Sequence, residues 1–437
     1  MQPKEGGNNM LKTKEPKGIT LISLVITIII LLILALVAIS LAVDSNGLFS
    51  KAGDAANSWN TSVAEEEGSI QDMLDIADEM SLTLKPMVTK WNIAAGDTVE
   101  IMLYVPQDSD VTINWGDGTE KHYTSSNLTN GVASHTYTDA NSNTIVTITG
   151  KCNVIGVQGD AKLISIEEWG YTETTVYGFM GCTGLASIAS PEKYTFKNVT
   201  SFMDTFVGCS SLTSIPDNMF ANCTNATSFM DTFAGCSSLT SIGDYAFANC
   251  VALEDVTFMF GECPNLANIG AHAFDGCSSV EVFAFLFGEP LASIAKSKNR
   301  YTTLQCIYTS MESDYKVEHV AELGSIRNLE NLLTIGDYAF ANCTSAKNFS
   351  GLFADCARLE SIPEHLFENT PNVASFKGTF TGCTSLTGNA LPLWTRVTTD
   401  ITTYKGVPDG YNCYKGCTRL TNYDAIPDYW KNAPSQG

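Results

Sequence analysis

The residues of this 437-residue chain best placed to do chemistry are its fourteen cysteines. Six of them, Cys209, Cys223, Cys236, Cys250, Cys263 and Cys277, are separated by 14, 13, 14, 13 and 14 residues. Thiols in such a series point to disulfide bridges, a zinc array or a redox ladder. Zinc is disfavoured because no C-x-x-C pair occurs, and His122, His135, His272, His319 and His365 are scattered singly. Asp117 and His135 could serve as an acid–base couple, but Asp117 lies in a tight-turn sequence, where turn formation is the simpler role. No nucleophile–base pair, metal cluster or phosphate-binding loop is legible. The expectation is therefore a non-enzymatic protein with no cofactor and no metal.

The frame around the cysteines explains their beat. Phe206-x-x-Cys209-x-x-Leu212-x-x-Ile215 recurs as Phe233, Cys236, Leu239 and Ile242, and again as Phe260, Cys263, Leu266 and Ile269. Alternating intervals of 13 and 14 make the true period 27, two unequal halves per turn. Turns of that size cannot bury an apolar face alone and must stack into a solenoid. Leu-Thr-Ser-Ile reads as a short strand in each half. Asp-Tyr-Ala-Phe-Ala-Asn-Cys, at 244–250 and 337–343, reads as a helical turn. Equivalent residues of stacked turns lie about 4.8 Å apart, so bridges between cysteines are not forbidden by distance. Thr370 and Phe196 fill cysteine slots without disturbing the pattern, which favours a column of buried, inert thiols. Cys413 and Cys417 stand outside the frame and are the pair most open to another role.

These units resemble the BspA-like leucine-rich repeats of bacterial surface proteins, whose signature A-F-x-x-C-x-x-L-x-x-I is followed almost letter for letter at 246–269 and 339–362. One irregularity breaks the beat. Cys277 and Cys343 occupy the same half-unit 66 residues apart, and two turns would span 54, leaving about 12 extra residues. The expected bulge is residues 296–316, where Lys296, Lys298 and Arg300 lie beside Tyr301, Tyr308 and Tyr315. Insertions in solenoids map to loops, so these six residues form the candidate ligand-contact site.

Upstream, residues 99–105 and 144–149 are runs rich in β-branched side chains, as strands are. Between them, Trp115-Gly116-Asp117-Gly118-Thr119 carries an Asp-Gly step, a hairpin signal in which both central residues take positive φ. With His135-Thr136-Tyr137 following, the stretch resembles the PKD family of immunoglobulin-like sandwiches. The resemblance implies a spacer or binding module, with Asp117 in the turn, His135 on a loop backbone group and Trp115 in the core.

The N-terminus predicts membrane insertion. Residues 19–43 are 25 residues without a charge, preceded by Lys12, Lys14 and Lys17. A helix of that length reaches about 37 Å, against a hydrocarbon core of about 30 Å. The lysines would hold the leader in the cytoplasm and place the remainder outside. The run Lys17-Gly18-Ile19-Thr20-Leu21-Ile22-Ser23-Leu24-Val25 resembles the type IV pilin and pseudopilin leader. That resemblance implies cleavage after Gly18 and methylation of Ile19. Ser23 replaces the family's usual glutamate, which bears on fibre assembly more than on processing.

The predicted fold class is thus multidomain: a long N-terminal α-helix, a small β-sandwich, then an α/β-type leucine-rich repeat solenoid with short strands. The predicted divisions are a leader at 1–18, a transmembrane helix at 19–43 and a helical stalk at 44–81. A PKD-like sandwich at 82–150, a solenoid at 151–390 and a cap at 391–437 follow. The formal charge of −22 repels phosphate backbones and disfavours nucleic acid. The expected function is a membrane- or pilus-anchored surface adhesin, single-pass with its ectodomain outside, binding a host or bacterial protein or glycan. The alternative is a minor pilin or pseudopilin that meets other pilin subunits in pilus or secretion-fibre assembly.

Overall fold

The computed structural model describes residues 85–431 except 108, 151, 158, 171–177, 193–194, 289–328 and 400–405. These residues fall in one compact unit, Ile76–Gly437. Eight strands come first: β1 Met87–Ile93, β2 Thr98–Tyr104, β3 Val111–Asn114, β4 Glu120–Tyr123, β5 Val132–Thr136, β6 Asn141–Gly150, β7 Asn153–Gly156 and β8 Leu163–Glu168. Alternation decides which residues point inward. Val99, Ile101 and Leu103 of β2 are buried while their neighbours face solvent, the period-two pattern of a sheet with one wet face. Trp91, Trp115, Val111, Ile113, Val146 and Ile148 join them in the core.

The sheets do not stop at the solenoid. One runs β4-β3-β6-β1-β8-β9, where β9 is Ser187–Ile188, and the other runs β5-β2-β7. β8 therefore pairs antiparallel with β1 on one side (Lys90 opposite Ser165) and parallel with β9 on the other (Ile166 opposite Ile188). The backbone after β7 also enters the coil, with Val157 N–H bonding Gly178 C=O at 2.6 Å and Gly159 N–H bonding Met180 C=O at 2.8 Å. The first coil is built on strands of the sandwich, which covers the edge that a solenoid otherwise leaves open.

From there each coil copies the last. β10 Ser214–Ile215, β11 Ser241–Ile242, β12 Asn268–Ile269 and β13 Thr334–Ile335 form a parallel ladder in register. The other half of each turn is joined by single bridges, Ser201 to Ser228, Ser228 to Asp255 and Asn348 to Ser375. Phenylalanines stack along the axis: Phe206–Phe233 at 5.2 Å, Phe220–Phe247 at 5.2 Å and Phe202–Phe229 at 4.7 Å begin three such columns.

The predicted fold class and localisation are corrected here. The described chain is nearly all strand and turn, with a single four-residue α-helix, α1 Asp428–Lys431. No helix among the described residues is long and apolar enough to cross a membrane. The long helix placed over 19–81, and Gly18 and Ile19 before it, lie outside the described residues. The helical turns expected at 244–250 and 337–343 are also replaced, and the cause is local. Most described half-coils carry left-handed residues four positions apart, among them Asn218 and Asn222, Asp231 and Gly235, Tyr245 and Asn249, His272 and Gly276, Tyr338 and Asn342. A right-handed helix cannot absorb one left-handed residue per turn, so the segment becomes a string of tight turns.

The insertion is larger than the count predicts. Ile269 pairs directly with Ile335, 66 residues on, so Cys277 and Cys343 sit on adjacent coils and 39 residues beyond one 27-residue turn are extra. The Asp-Gly turn also differs from expectation. Gly116 (φ 82°) and Gly118 (φ 90°) carry the positive φ, and Asp117 does not.

The C-terminal end is closed by aromatic rings. Trp430 of α1 is buried, 6.3 Å from Trp394, which in turn lies 6.3 Å from Tyr414. Tyr414 stacks on Phe380 at 5.6 Å and so takes the phenylalanine slot, which returns Cys417 to the repeat frame.

Candidate functional site

The thirteen described cysteines are free and buried. Most of those in the repeats cap a carbonyl of the preceding coil. The thiol of Cys209 donates to Phe179 C=O at 3.2 Å, Cys236 to Phe206 at 3.3 Å, Cys250 to Phe220 at 3.1 Å and Cys263 to Phe233 at 3.2 Å. Cys417 does the same to Phe380 at 3.0 Å. Burial pushes the thiols of Cys182 and Cys263 up to about 12, so they hold no reactive thiolate at neutral pH. Thr232 uses the same geometry, its hydroxyl reaching Phe202 C=O at 2.9 Å and Phe229 C=O at 2.7 Å. The column is a structural device.

The Asp117–His135 pair is likewise committed to structure. His135 Nε2 lies 2.7 Å from Asp117 Oδ2, while Asp117 Oδ1 accepts Thr119 N–H at 2.9 Å. His135 also stacks on Trp115 at 5.2 Å, and the Tyr137 hydroxyl donates to Trp115 C=O at 2.9 Å. Desolvation works to raise the Asp117 carboxyl, but its bonds from His135 and Thr119 hold it below its ordinary value. Burial, reinforced by the Asp117 charge, pushes the Tyr137 phenol up. Both carboxylate oxygens are spoken for, so the cluster locks the turn. His135 meets the Asp117 side chain rather than the loop backbone expected of it. Among the described residues, no three His, Cys, Asp or Glu side chains form a group that could hold a metal ion.

The six residues named for the insertion, Lys296, Lys298, Arg300, Tyr301, Tyr308 and Tyr315, lie outside the described residues. The structure draws attention elsewhere. Tyr245, His272, Tyr338 and His365 fall in one slot of successive coils and form a stacked ladder on the surface. The ring centroids are 4.5, 4.9 and 4.5 Å apart, and the planes lie within 4° of parallel. Tyr245 is 42% exposed, and the other three are half-buried.

Carboxylates pin the backbone beneath this ladder. Asp217 Oδ1 accepts Asp244 N–H and Asp244 Oδ1 accepts Ala271 N–H, each at 2.8 Å, so each bond joins one coil to the next. Asp337 Oδ1 accepts the N–H of Tyr338 and of His365, at 3.1 and 3.0 Å. His272 Nδ1 lies 2.7 Å from Asp275 Oδ2, and His365 Nδ1 lies 2.8 Å from Asp337 Oδ2. The hydrogen bond to Asp337 raises the His365 pKa above its ordinary value.

Three of the four ladder residues sit on the left-handed backbone that recurs through the coils. Tyr245, His272 and Tyr338 have φ of 55°, 54° and 56°. The left-handed region costs an ordinary side chain about 1–2 kcal/mol, and a ring stack returns about 0.5–1.5 kcal/mol. The stacks roughly cancel the strain and leave little net stabilisation. Asn218, one coil earlier in the same slot, adopts the same backbone at less cost.

The ladder escaped the sequence reading for a countable reason. His272 and His365 look scattered at 93 residues apart, but without the 39 inserted residues they are two coils of 27 apart. The repeated Asp-Tyr-Ala-Phe at 244 and 337 was the available signal.

Comparison with protein families finds a match to the BspA type leucine rich repeat region (6 copies) over residues 151–281, 192–316 and 313–428. Comparison with the curated proteins and with the solved structures finds no match.

Proposed function

The chain belongs to the BspA-type leucine-rich repeat family, and we propose that it is a surface protein that binds ligands, an adhesin presenting its repeat face to a protein or glycan on host or neighbouring cells. The observation that carries this reading is the ladder of Tyr245, His272, Tyr338 and His365, half-exposed rings stacked at the surface, the first three of them on left-handed backbone. Aromatic side chains supply large contact area at low entropic cost, which is why they dominate binding surfaces. The acidic surface suits partners that are neutral or basic and repels nucleic acid. Binding by such a face needs no catalytic step.

The strands before the repeats we read as a PKD-like spacer, supported by the Trp115–Thr119 turn and by the His135 and Tyr137 contacts that close it. The alternative implied by the leader resemblance, a subunit in fibre assembly, rests on residues outside the described ones.

The test is adhesion of beads coated with the full chain to host epithelial cells and to neighbouring bacteria. Wild-type beads adhere, and the soluble chain competes. Tyr338→Asn, which takes the residue type this slot already holds at 218, lowers adhesion severalfold. Equal adhesion by the two coatings would overturn the ladder as the binding face, and no adhesion by either would overturn the adhesin reading.

A further inference from the structure

A cleft of about 520 Å³ opens between coils at the start of the solenoid, lined by residues that include Phe196, Met219, Cys223, Asn218, Asn222 and Thr224. Its volume lies within the range of about 300–1,000 Å³ typical of small-ligand sites. The lining divides by chemistry. Phe196, Met219 and Cys223 are buried and give an apolar floor, whereas Asn218, Asn222 and Thr224 are exposed at the rim. The repeat explains the break: Phe196 stands in a cysteine slot, and its ring lies 5.8 Å from that of Phe220 instead of capping a carbonyl.

The cleft meets the aromatic ladder at Asn218. Asn218 holds the ladder slot one coil before Tyr245, and its N–H bonds Asp244 C=O at 2.9 Å. Among the described residues, the ring stacked on Tyr245 is that of His272 on the following coil. The face of Tyr245 toward the cleft has an amide residue in the neighbouring slot instead of a ring.

Charge and hydrogen-bonding capacity narrow the ligand. Among the described residues the two charged groups of the lining, Glu192 and Lys197, are of opposite sign, and Glu192 also meets Lys85. With one group of each sign, the described lining has no net formal charge to match a charged ligand. The two amides and the hydroxyl each donate and accept, as sugar hydroxyls do. The apolar floor and the Tyr245 ring suit the C–H face of a sugar ring.

We propose that this cleft, continued by the outer face of Tyr245, binds a neutral saccharide. The proposal rests on the ligand-binding reading of the repeat face and names its ligand class. Two variants test it within the fold's own rules, since both positions have left-handed backbone. Tyr245→Asn installs the residue found at 218, and Asn222→Gly installs the residue found at 276 in the same column.

The full chain is applied to an array of neutral oligosaccharides built from hexoses and N-acetylhexosamines, and the bound members are titrated by calorimetry. The expected result is binding to at least one neutral oligosaccharide, weakened about tenfold or more by each variant, a loss of one good contact. The thermal midpoint of each variant checks that it is folded. If Tyr245→Asn fails to fold, Asn222→Gly decides alone. Absence of neutral-oligosaccharide binding, or binding that both folded variants retain, overturns the proposal. Adhesion of coated beads without any oligosaccharide binding overturns the saccharide while leaving the adhesin reading in place, whereas loss of both sinks the two together.

Discussion

His365 Nδ1 lies 2.8 Å from Asp337 Oδ2, a contact between residues of adjacent coils at the open end of the aromatic ladder. The bond to Asp337 raises His365 above 6.5. Desolvation works to raise Asp337, but the bonds it accepts from His365 and Tyr338 hold it below 3.8. The contribution of His365 is therefore fully present below 6.5 and fades as pH rises through its raised value. That of Asp337 is present above 3.8 and fades as pH falls through its lowered value. The two overlap between 3.8 and 6.5, where the pair is doubly charged. In a proton NMR titration, His365 is expected to titrate above 6.5, and Asp337→Asn to bring it down towards that value. A wild-type midpoint at or below 6.5 would contradict the geometry.

Tyr338→Asn separates stability from binding. The substitution loses two ring contacts and relieves one strained backbone position, terms of about 1 kcal/mol each and opposite sign. Denaturant unfolding should move by no more than about 1 kcal/mol while adhesion falls. A loss of about 3 kcal/mol or more would make the ladder a stabilising element instead of a binding one.

The cysteine column predicts a substitution order. Cys236→Thr keeps a donor for Phe206 C=O, as Thr232 does for Phe202, and is expected to cost about 1 kcal/mol or less. Cys236→Ala leaves that carbonyl and a small cavity unfilled, for about 1–3 kcal/mol. Urea unfolding ranks the two. Native-state thiol labelling should leave the thirteen buried cysteines unmodified until the chain is denatured.

Gly156 tests the junction. A Cβ there would lie 1.8 Å from Gly178 C=O, at a φ of +137°. Backbone cannot yield as a side-chain tip does, so Gly156→Ala is expected to cost about 3 kcal/mol or more. Because β8 pairs with both β1 and β9 and the backbone after β7 bonds into the first coil, fluorescence of Trp115 and of Trp430 should report one transition in wild type. Separate transitions would show that the shared sheets do not couple the two parts.

Much of this architecture could be read from residue spacing, and its gaps have physical causes. The period of 27 and the inward Phe, Cys, Leu and Ile were legible because core positions repeat their residue types. The size of the insertion was not, since 66 residues are compatible with one coil or two, and only the pairing of Ile269 with Ile335 decides. The turns read as helix because Tyr245 and Tyr338 are poor advertisements for left-handed backbone. The pairing of β8 with β1, more than 70 residues earlier, has no local signature. The ladder was hidden by the same insertion that obscured the count.

The shared β8 strand also gives the repeat array a fixed starting edge, and the paired tryptophans give it a fixed stop. Between these ends every coil offers the next the same edge and receives the same edge in return. Reach is thus a separable property of the molecule. Adding or removing whole units of 27 residues changes how far the face extends without altering either terminus.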